Sequence, residues 1–124
     1  MPKPSFPSNR HNRNFEAIKA KTLAIVAAIP ENRVTTYGSI AKVLRVSPRQ
    51  VARVMSTLTA DEAEGLPWFR VVAANGVISS LKRGGVGRRQ IDRLRNEGIA
   101  VSPRNKVMDF AAVLWLPIAD RKIK

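Results

Sequence analysis

The sequence predicts a mainly α-helical domain in which a helix-turn-helix is followed by a small β-hairpin, a winged-helix-like arrangement. Three observations carry this. Two short amphipathic segments, Tyr37 to Leu44 and Pro48 to Leu58, are separated only by the tight turn Arg45-Val46-Ser47. An apolar run, Pro67-Trp68-Phe69-Arg70-Val71-Val72, leads towards an Asn75-Gly76 turn signal. Of 124 residues, 44% are hydrophobic, enough for one packed core, while 22 Lys and Arg stand against 9 acids, a net charge of +13. That excess speaks of partners, not of fold. The polyanion it fits first is nucleic acid.

Composition also excludes. There is no cysteine, hence no disulfide, no thiolate metal site and no thiol nucleophile. The single histidine, His11, sits in a polar N-terminal stretch, which argues against a His-based metal centre or catalytic dyad. We expect no metal, no cofactor and no catalytic residue. No apolar stretch approaches the ~20 residues of a membrane-spanning helix. No segment pairs a wide apolar face with a Lys/Arg face, so a membrane surface is a poorer fit than nucleic acid. The N-terminus lacks the apolar core of a signal peptide. The expectation is a monomer, cytoplasmic and nucleoid-associated.

Taken in order, residues 1–13 are Pro-, Ser-, Asn- and Arg-rich and predict a disordered basic arm. Residues 14–118 form the folded domain, and 119–124 a basic tail. Asn14 is the expected cap of a first helix, Phe15 to Ala28, with Phe15, Ile18, Thr22, Ile25, Val26 and Ile29 on one stripe. Pro30 ends it. Thr36 caps the helix Tyr37 to Leu44. Ser47 caps the next, with Pro48 at its first position, where the missing amide hydrogen costs nothing. Val51, Val54, Met55 and Leu58 form its apolar stripe, with Arg49, Arg53 and Ser56 opposite. A tight turn between two such helices, the second with Arg near its start, is the helix-turn-helix pattern. Thr59 to Gly65 is expected to be an exposed acidic loop. Val71 to Ala74, Asn75-Gly76 and Val77 to Ser79 predict the hairpin, since Asn-Gly suits a two-residue turn with positive φ at both positions. The glycine-rich loop Leu81 to Arg89 matches neither a Walker loop nor a dinucleotide fingerprint. A last helix is expected from Arg88 to Glu97, with Gly98 as its C-terminal stop. Phe110 and Val113 to Leu116 should fold back on the core.

These residues resemble a known family. Val34-Thr35-Thr36-Tyr37-Gly38-Ser39-Ile40-Ala41 is similar to the V-T-T-Y-G-x-I-A segment of O6-alkylguanine-DNA alkyltransferases. Pro67-Trp68-Phe69-Arg70-Val71-Val72 resembles their P-C-H-R-V-[IV] motif, and Asn96-Glu97-Gly98 their closing E-G. The likeness runs from about Phe15 to Val101. It implies the C-terminal-domain fold of those enzymes. Two departures matter. The acceptor Cys falls at Trp68, and its neighbouring His at Phe69. A thiolate nucleophile needs a thiol and a base, and neither is there. Trp at the Cys position is the mark of the alkyltransferase-like proteins, which bind alkylated guanine in DNA without transferring the alkyl group. Glu97 is left with a structural task, such as pairing with Arg70.

Carried over by position, the resemblance implies a DNA-binding face of Thr35, Thr36, Tyr37, Arg49, Gln50, Ala52, Arg53 and Ser56. Arg49 would fill the gap left by a flipped nucleotide, and Ala52 would allow close approach to the minor groove. It implies a lesion pocket of Tyr37, Trp68, Phe69, Arg70, Val71, Lys82 and Arg83, with Trp68 and Val71 offering carbonyls to the guanine amino group and Lys82 or Arg83 at the rim. The implied partners are double-stranded DNA containing O6-alkylguanine and, downstream, nucleotide excision repair proteins. The competing reading is a winged-helix transcription regulator. The bland readings are that Trp68 and Phe69 are core aromatics and that Arg49 only touches phosphate.

Overall fold

Six α-helices and one two-stranded sheet make up the computed structural model, which describes residues 6–82 and 84–118, without the side chains of residues 6–13 and 82. The helices are α1 (Phe6–Ala28), α2 (Tyr37–Leu44), α3 (Pro48–Ser56), α4 (Ala60–Gly65), α5 (Gly85–Asn96) and α6 (Phe110–Val113). Strands β1 (Thr35–Thr36) and β2 (Val71–Val72) form the sheet. The mainly helical class with a small sheet is as expected.

The helix-turn-helix forms where its local signals place it. Thr36 Oγ1 accepts from the Ser39 amide at the start of α2. Ser47 and Gln50 close a reciprocal capping box at the start of α3, with Pro48 in its first turn. Between them Arg45 turns the chain in the left-handed region, φ 62°. Val51, Val54 and Met55 are buried, whereas Arg49, Arg53 and Ser56 are exposed. Thr22 and Val26 of α1, and Ile29 just after it, are buried as well. Val26, Ile29, Ile40, Ala41, Val51, Met55 and Val71 make one core cluster; Val34, Phe69, Val72, Ile78, Ile91, Leu94, Ile99, Val101 and Val107 make the other.

Four expectations are corrected. Helix α1 starts at Phe6, so Asn14 is not its cap and residues 6–13 of the expected basic arm are helical. No glycine interrupts that stretch, and Pro7 stands in the first turn, where proline is tolerated. Met1 to Ser5 of the arm, and the tail from residue 119, lie outside the described residues. The acidic stretch after Thr59 is helix α4, not a loop: Thr59 and Glu62 form a second capping box, a spacing that favours a helix start. Helix α5 begins at Gly85, inside the expected glycine-rich loop. Gly87 is there for space, since a Cβ would meet the Leu81 Cα at 2.5 Å. The fourth correction concerns the wing. Asn75 and Gly76 both take positive φ, as a two-residue turn requires. The segments around them do not pair as a hairpin. Strand β2 instead pairs in parallel with β1, Thr35 opposite Val71 and Thr36 opposite Val72, while Val77 bridges Lys106. Val71 and Val72 are both buried, so this strand belongs in the centre of the fold rather than on an exposed wing.

Helix α5 ends as expected. The Gly98 amide donates to Arg95 O and the Ile99 amide to Leu94 O, with Gly98 at φ 92°. That pair of bonds is a Schellman stop. After α6 the chain returns to β1: Val34 N donates to Val113 O at 2.9 Å and Trp115 N to Val34 O at 2.7 Å.

Candidate nucleic-acid interface and base pocket

Helix α3 presents Arg49, Arg53 and Ser56 on one exposed face, the i, i+4, i+7 spacing of a helical stripe. Arg53 lies over the Phe15 ring of α1, 5.0 Å from its centre. This contact between cation and ring restrains the side chain against α1. The Ser56 hydroxyl donates to Arg53 O at 2.9 Å. Ala52 is half-buried at the edge of this face.

Behind α3, the Pro67-to-Val72 run makes a 3₁₀ turn at Trp68–Arg70 before β2. In such a turn successive side chains fan out in different directions. Trp68 is half-buried and packs against both core clusters. Phe69 is 4% exposed, and its ring meets Trp68 edge-on, centroids 5.9 Å apart. The guanidinium carbons of Arg93 and Arg70 lie 4.5 and 5.3 Å from the Phe69 centroid. Arg70 points away from Trp68. Its Nε donates to both Glu97 carboxylate oxygens at 3.1 and 3.0 Å, its Nη2 donates to Glu97 Oε2, and its Nη1 donates to Ile29 O at 2.8 Å.

Two concavities meet at Trp68. The smaller, about 10 Å³, is lined by Tyr37, Met55, Trp68, Val71, Ser80 and Gln90. It has room for about one water molecule. The larger is an open cleft of about 660 Å³ between the end of α3, α4 and α5. Met55 and Trp68 line both, so these two side chains are the partition between them. Apolar Leu58, Ala63 and Val86 line the cleft beyond the partition, and Glu64, Arg89, Asp92 and Arg93 supply its charges. Gln90 is 2% exposed and ties the floor together. Its Nε2 donates to the carbonyls of Phe69 at 3.0 Å and Val71 at 2.9 Å, and its Oε1 accepts from the Ser80 hydroxyl.

The family model for the DNA-binding domain of 6-O-methylguanine DNA methyltransferase matches residues 17–99. The chain belongs to this alkyltransferase family. Within the family its relatives are alkyltransferase-like. It is 38% identical over 110 residues to the DNA base-flipping protein of Escherichia coli (strain K12), covering 88% of this chain and 82% of that protein. It is 35% identical over 102 residues to alkyltransferase-like protein 1 of Schizosaccharomyces pombe, covering 78% and 93%. The fold is also that of the S. pombe protein in complex with damaged DNA containing O6-carboxymethylguanine: TM-score 0.71, 29% identity, 82% of this chain and 97% of that one.

The alkyltransferase-family fold sorts the residues expected at the site. Tyr37, Trp68 and Val71 do line one pocket. Phe69 and Arg70 do not; the fan of the 3₁₀ turn sends one into the core and the other to Glu97. Lys82 and Arg83, expected at the rim, have side chains outside the described residues. Of the residues expected to face DNA, Arg49, Gln50, Arg53 and Ser56 are exposed on α3, although Gln50 Oε1 is committed to the Ser47 amide at 2.9 Å. Thr36 is spent on the α2 cap, accepting from the Ser39 amide and donating to Ser39 Oγ, both at 2.9 Å. Thr35 is corrected: it is wholly buried opposite Val71 in the sheet, so its side chain cannot meet DNA. Met55, Ser80 and Gln90 were missed. Met55 reads as a stripe residue and no more. Gln90 left one sign, a polar residue in the stripe Gly87, Gln90, Ile91, Leu94.

Proposed function

We propose that the protein binds duplex DNA through α2 and α3, takes an O6-alkylguanine out of the helix through the minor groove into the pocket at Trp68, and leaves the alkyl group in place for other repair proteins, those of nucleotide excision repair among them. Trp68 carries this reading. It stands where the alkyltransferase motif has its acceptor thiol, and it lines the pocket in a chain without cysteine. With no thiolate there is no nucleophile to receive the alkyl group. An indole at that position gives the substituent an apolar wall instead. The likeness to the E. coli DNA base-flipping protein and to the S. pombe protein in complex with damaged DNA supports the same reading.

The energetics are consistent. Extruding a base costs about a few kcal/mol. In this reading Arg49, exposed in the first turn of α3, enters the gap, and phosphate contacts from a chain of net charge +13 offset the remainder. Opening the pocket requires Met55 and Trp68 to give way towards the cleft they already line. The test is a pair of affinities, for one O6-methylguanine duplex and for its unmodified twin. Tighter binding to the lesion is expected; equal binding would favour a sequence reader and end the lesion-binding reading.

A further inference from the structure

Helix α4 is one wall of the large cleft, and little holds it there. Ala60, Ala63 and Glu64 line the cleft from α4, and Val86, Arg89 and Arg93 line it from α5. No residue of α4 is buried, so core packing does little to fix its place. Glu62 does more, because its two carboxylate oxygens have separate tasks. Oε1 accepts the Thr59 amide at 2.9 Å, inside the capping box that starts the helix. Oε2 lies 3.1 Å from Nζ of Lys19 on α1. Among the described residues no other ion pair joins α4 to the rest of the fold. The Lys19 side chain is only 19% exposed, and its helix is seated in the core through Thr22 and Val26.

We propose that Lys19 and Glu62 are positioning residues that clamp α4 as a contact wall for large O6 substituents, and so set how strongly a large substituent is preferred to a small one. A methyl group on a base in the small pocket is met at the partition, by Met55 and Trp68. A ring-bearing substituent must pass them into the cleft, where Leu58, Ala63 and Val86 offer apolar surface. The cleft, about 660 Å³, is larger than such a group fills. Its contribution to binding is therefore set by the walls that stay against it. A wall free to drift by a fraction of an ångström loses much of the contact. An ion pair this exposed is modest, but the wall it holds has no other such tie.

This inference rests on the everted base entering the pocket, and the experiment separates the two. Affinities of the full chain are measured for duplexes with guanine, O6-methylguanine or O6-benzylguanine at one position. The wild type should bind the benzyl duplex about tenfold more tightly than the methyl duplex, the effect of roughly two buried methylene groups. Glu62→Gln keeps an acceptor for the Thr59 amide, since glutamine serves a capping box as glutamate does, but has no charge for Lys19. Lys19→Met keeps the apolar stem and removes the charge on the other side. Each should lower the benzyl-to-methyl ratio about two- to fourfold, the reach of a partly exposed ion pair, while affinity for the methyl duplex hardly changes. The two changes shift the net charge in opposite directions, so a common fall in the ratio is not an effect of charge on DNA binding. The double variant should lower it no further than either single change, and Lys19→Arg should keep it. If the wild type does not distinguish O6-methylguanine from guanine, the lesion-binding reading fails. If it does, but the benzyl-to-methyl ratio is one or is unmoved by both variants, the clamp fails alone. Equal losses on methyl and benzyl duplexes, or additive effects in the double variant, would make the pair ordinary supports of the fold and also overturn it. The wild-type ratio needs no variant, so the clamp stays open to refutation even if a variant does not fold.

Discussion

Arg70 and Glu97, twenty-seven positions apart, form a bidentate ion pair that joins the pocket segment to the end of α5. The side chains are only 14% and 11% exposed. Arg70 also reaches Ile29 O at the end of α1, and Glu97 Oε1 accepts the Asn32 amide at 3.2 Å. Glu97 does not line the pocket at Trp68. It braces three segments instead.

Breaking one side of that brace should be costly. Glu97→Ala leaves the Arg70 charge largely buried and unpaired, and a loss of about 3 kcal/mol is expected. The double variant Arg70→Met with Glu97→Leu should lose clearly less than the sum of the single changes, because the pair is coupled. Urea unfolding of the four proteins measures this. Additive losses would mean that the pair contributes no coupling.

Glu62 gives a pH signature. The Thr59 backbone amide holds its carboxyl below the usual glutamate range, and Lys19, with Nζ 3.1 Å away, adds to the effect. A lowered folded-state value means that the stabilisation is complete above the ordinary glutamate range and is lost as pH falls through the lowered one. An NMR titration should find Glu62 below the usual glutamate range. Lys19→Ala should raise it only in part, because the larger cause, the cap amide, remains. A Glu62 that titrates in the usual glutamate range would remove the capping box at the start of α4.

Much of this fold was legible because its signals are local. Thr36, Ser47 and Pro48 mark the starts of α2 and α3 within one turn of the residues they cap. The Thr59–Glu62 box was equally local but hidden under acidic composition. The parallel pairing of Thr35 with Val71 was not legible, since no neighbouring residue specifies a partner 36 positions on. The site divides in the same way. Tyr37, Trp68 and Val71 follow from motif positions, but the 3₁₀ turn that separates Trp68 from Phe69 and Arg70 is set by packing on both sides. Ser80 and Gln90 come from two further segments and have no motif to announce them.

DNA binding should weaken steeply with salt. Each neutralised phosphate contributes about −0.9 to the slope of log K against log salt. Arg53, exposed on α3 and seated on Phe15, is expected to contact phosphate, so Arg53→Ala should flatten the slope by about one contact and weaken damaged and undamaged duplexes alike. Arg49→Ala should instead lose more on the O6-methylguanine duplex, where one group must replace lost stacking. Binding isotherms at four salt concentrations separate the two behaviours. Indistinguishable effects would reduce Arg49 to an ordinary phosphate contact.

Trp68 is the residue whose replacement says most. It packs on both core clusters, and it partitions pocket from cleft. Trp68→Ala should therefore do two things. It should cost stability, by less than the ~3–5 kcal/mol of a fully buried aromatic because the ring is only half-buried. It should also lower the preference for O6-methylguanine over guanine, since a methyl group against the indole is worth about 0.8 kcal/mol. Affinity for undamaged duplex should hardly change, because Arg49 and Arg53, the arginines expected to contact it, lie on α3. Trp68→Cys tests the chemistry. It restores a thiol, but Phe69 is buried under two guanidinium groups and the pocket lining has no His, Asp or Glu to take the proton. Incubation with a duplex labelled on the alkyl group should leave both the wild type and Trp68→Cys unlabelled. Stoichiometric labelling of the Cys form would show that a thiol alone suffices here. Equal losses by Trp68→Ala on damaged and undamaged DNA would make the indole a core residue and move the lesion pocket elsewhere.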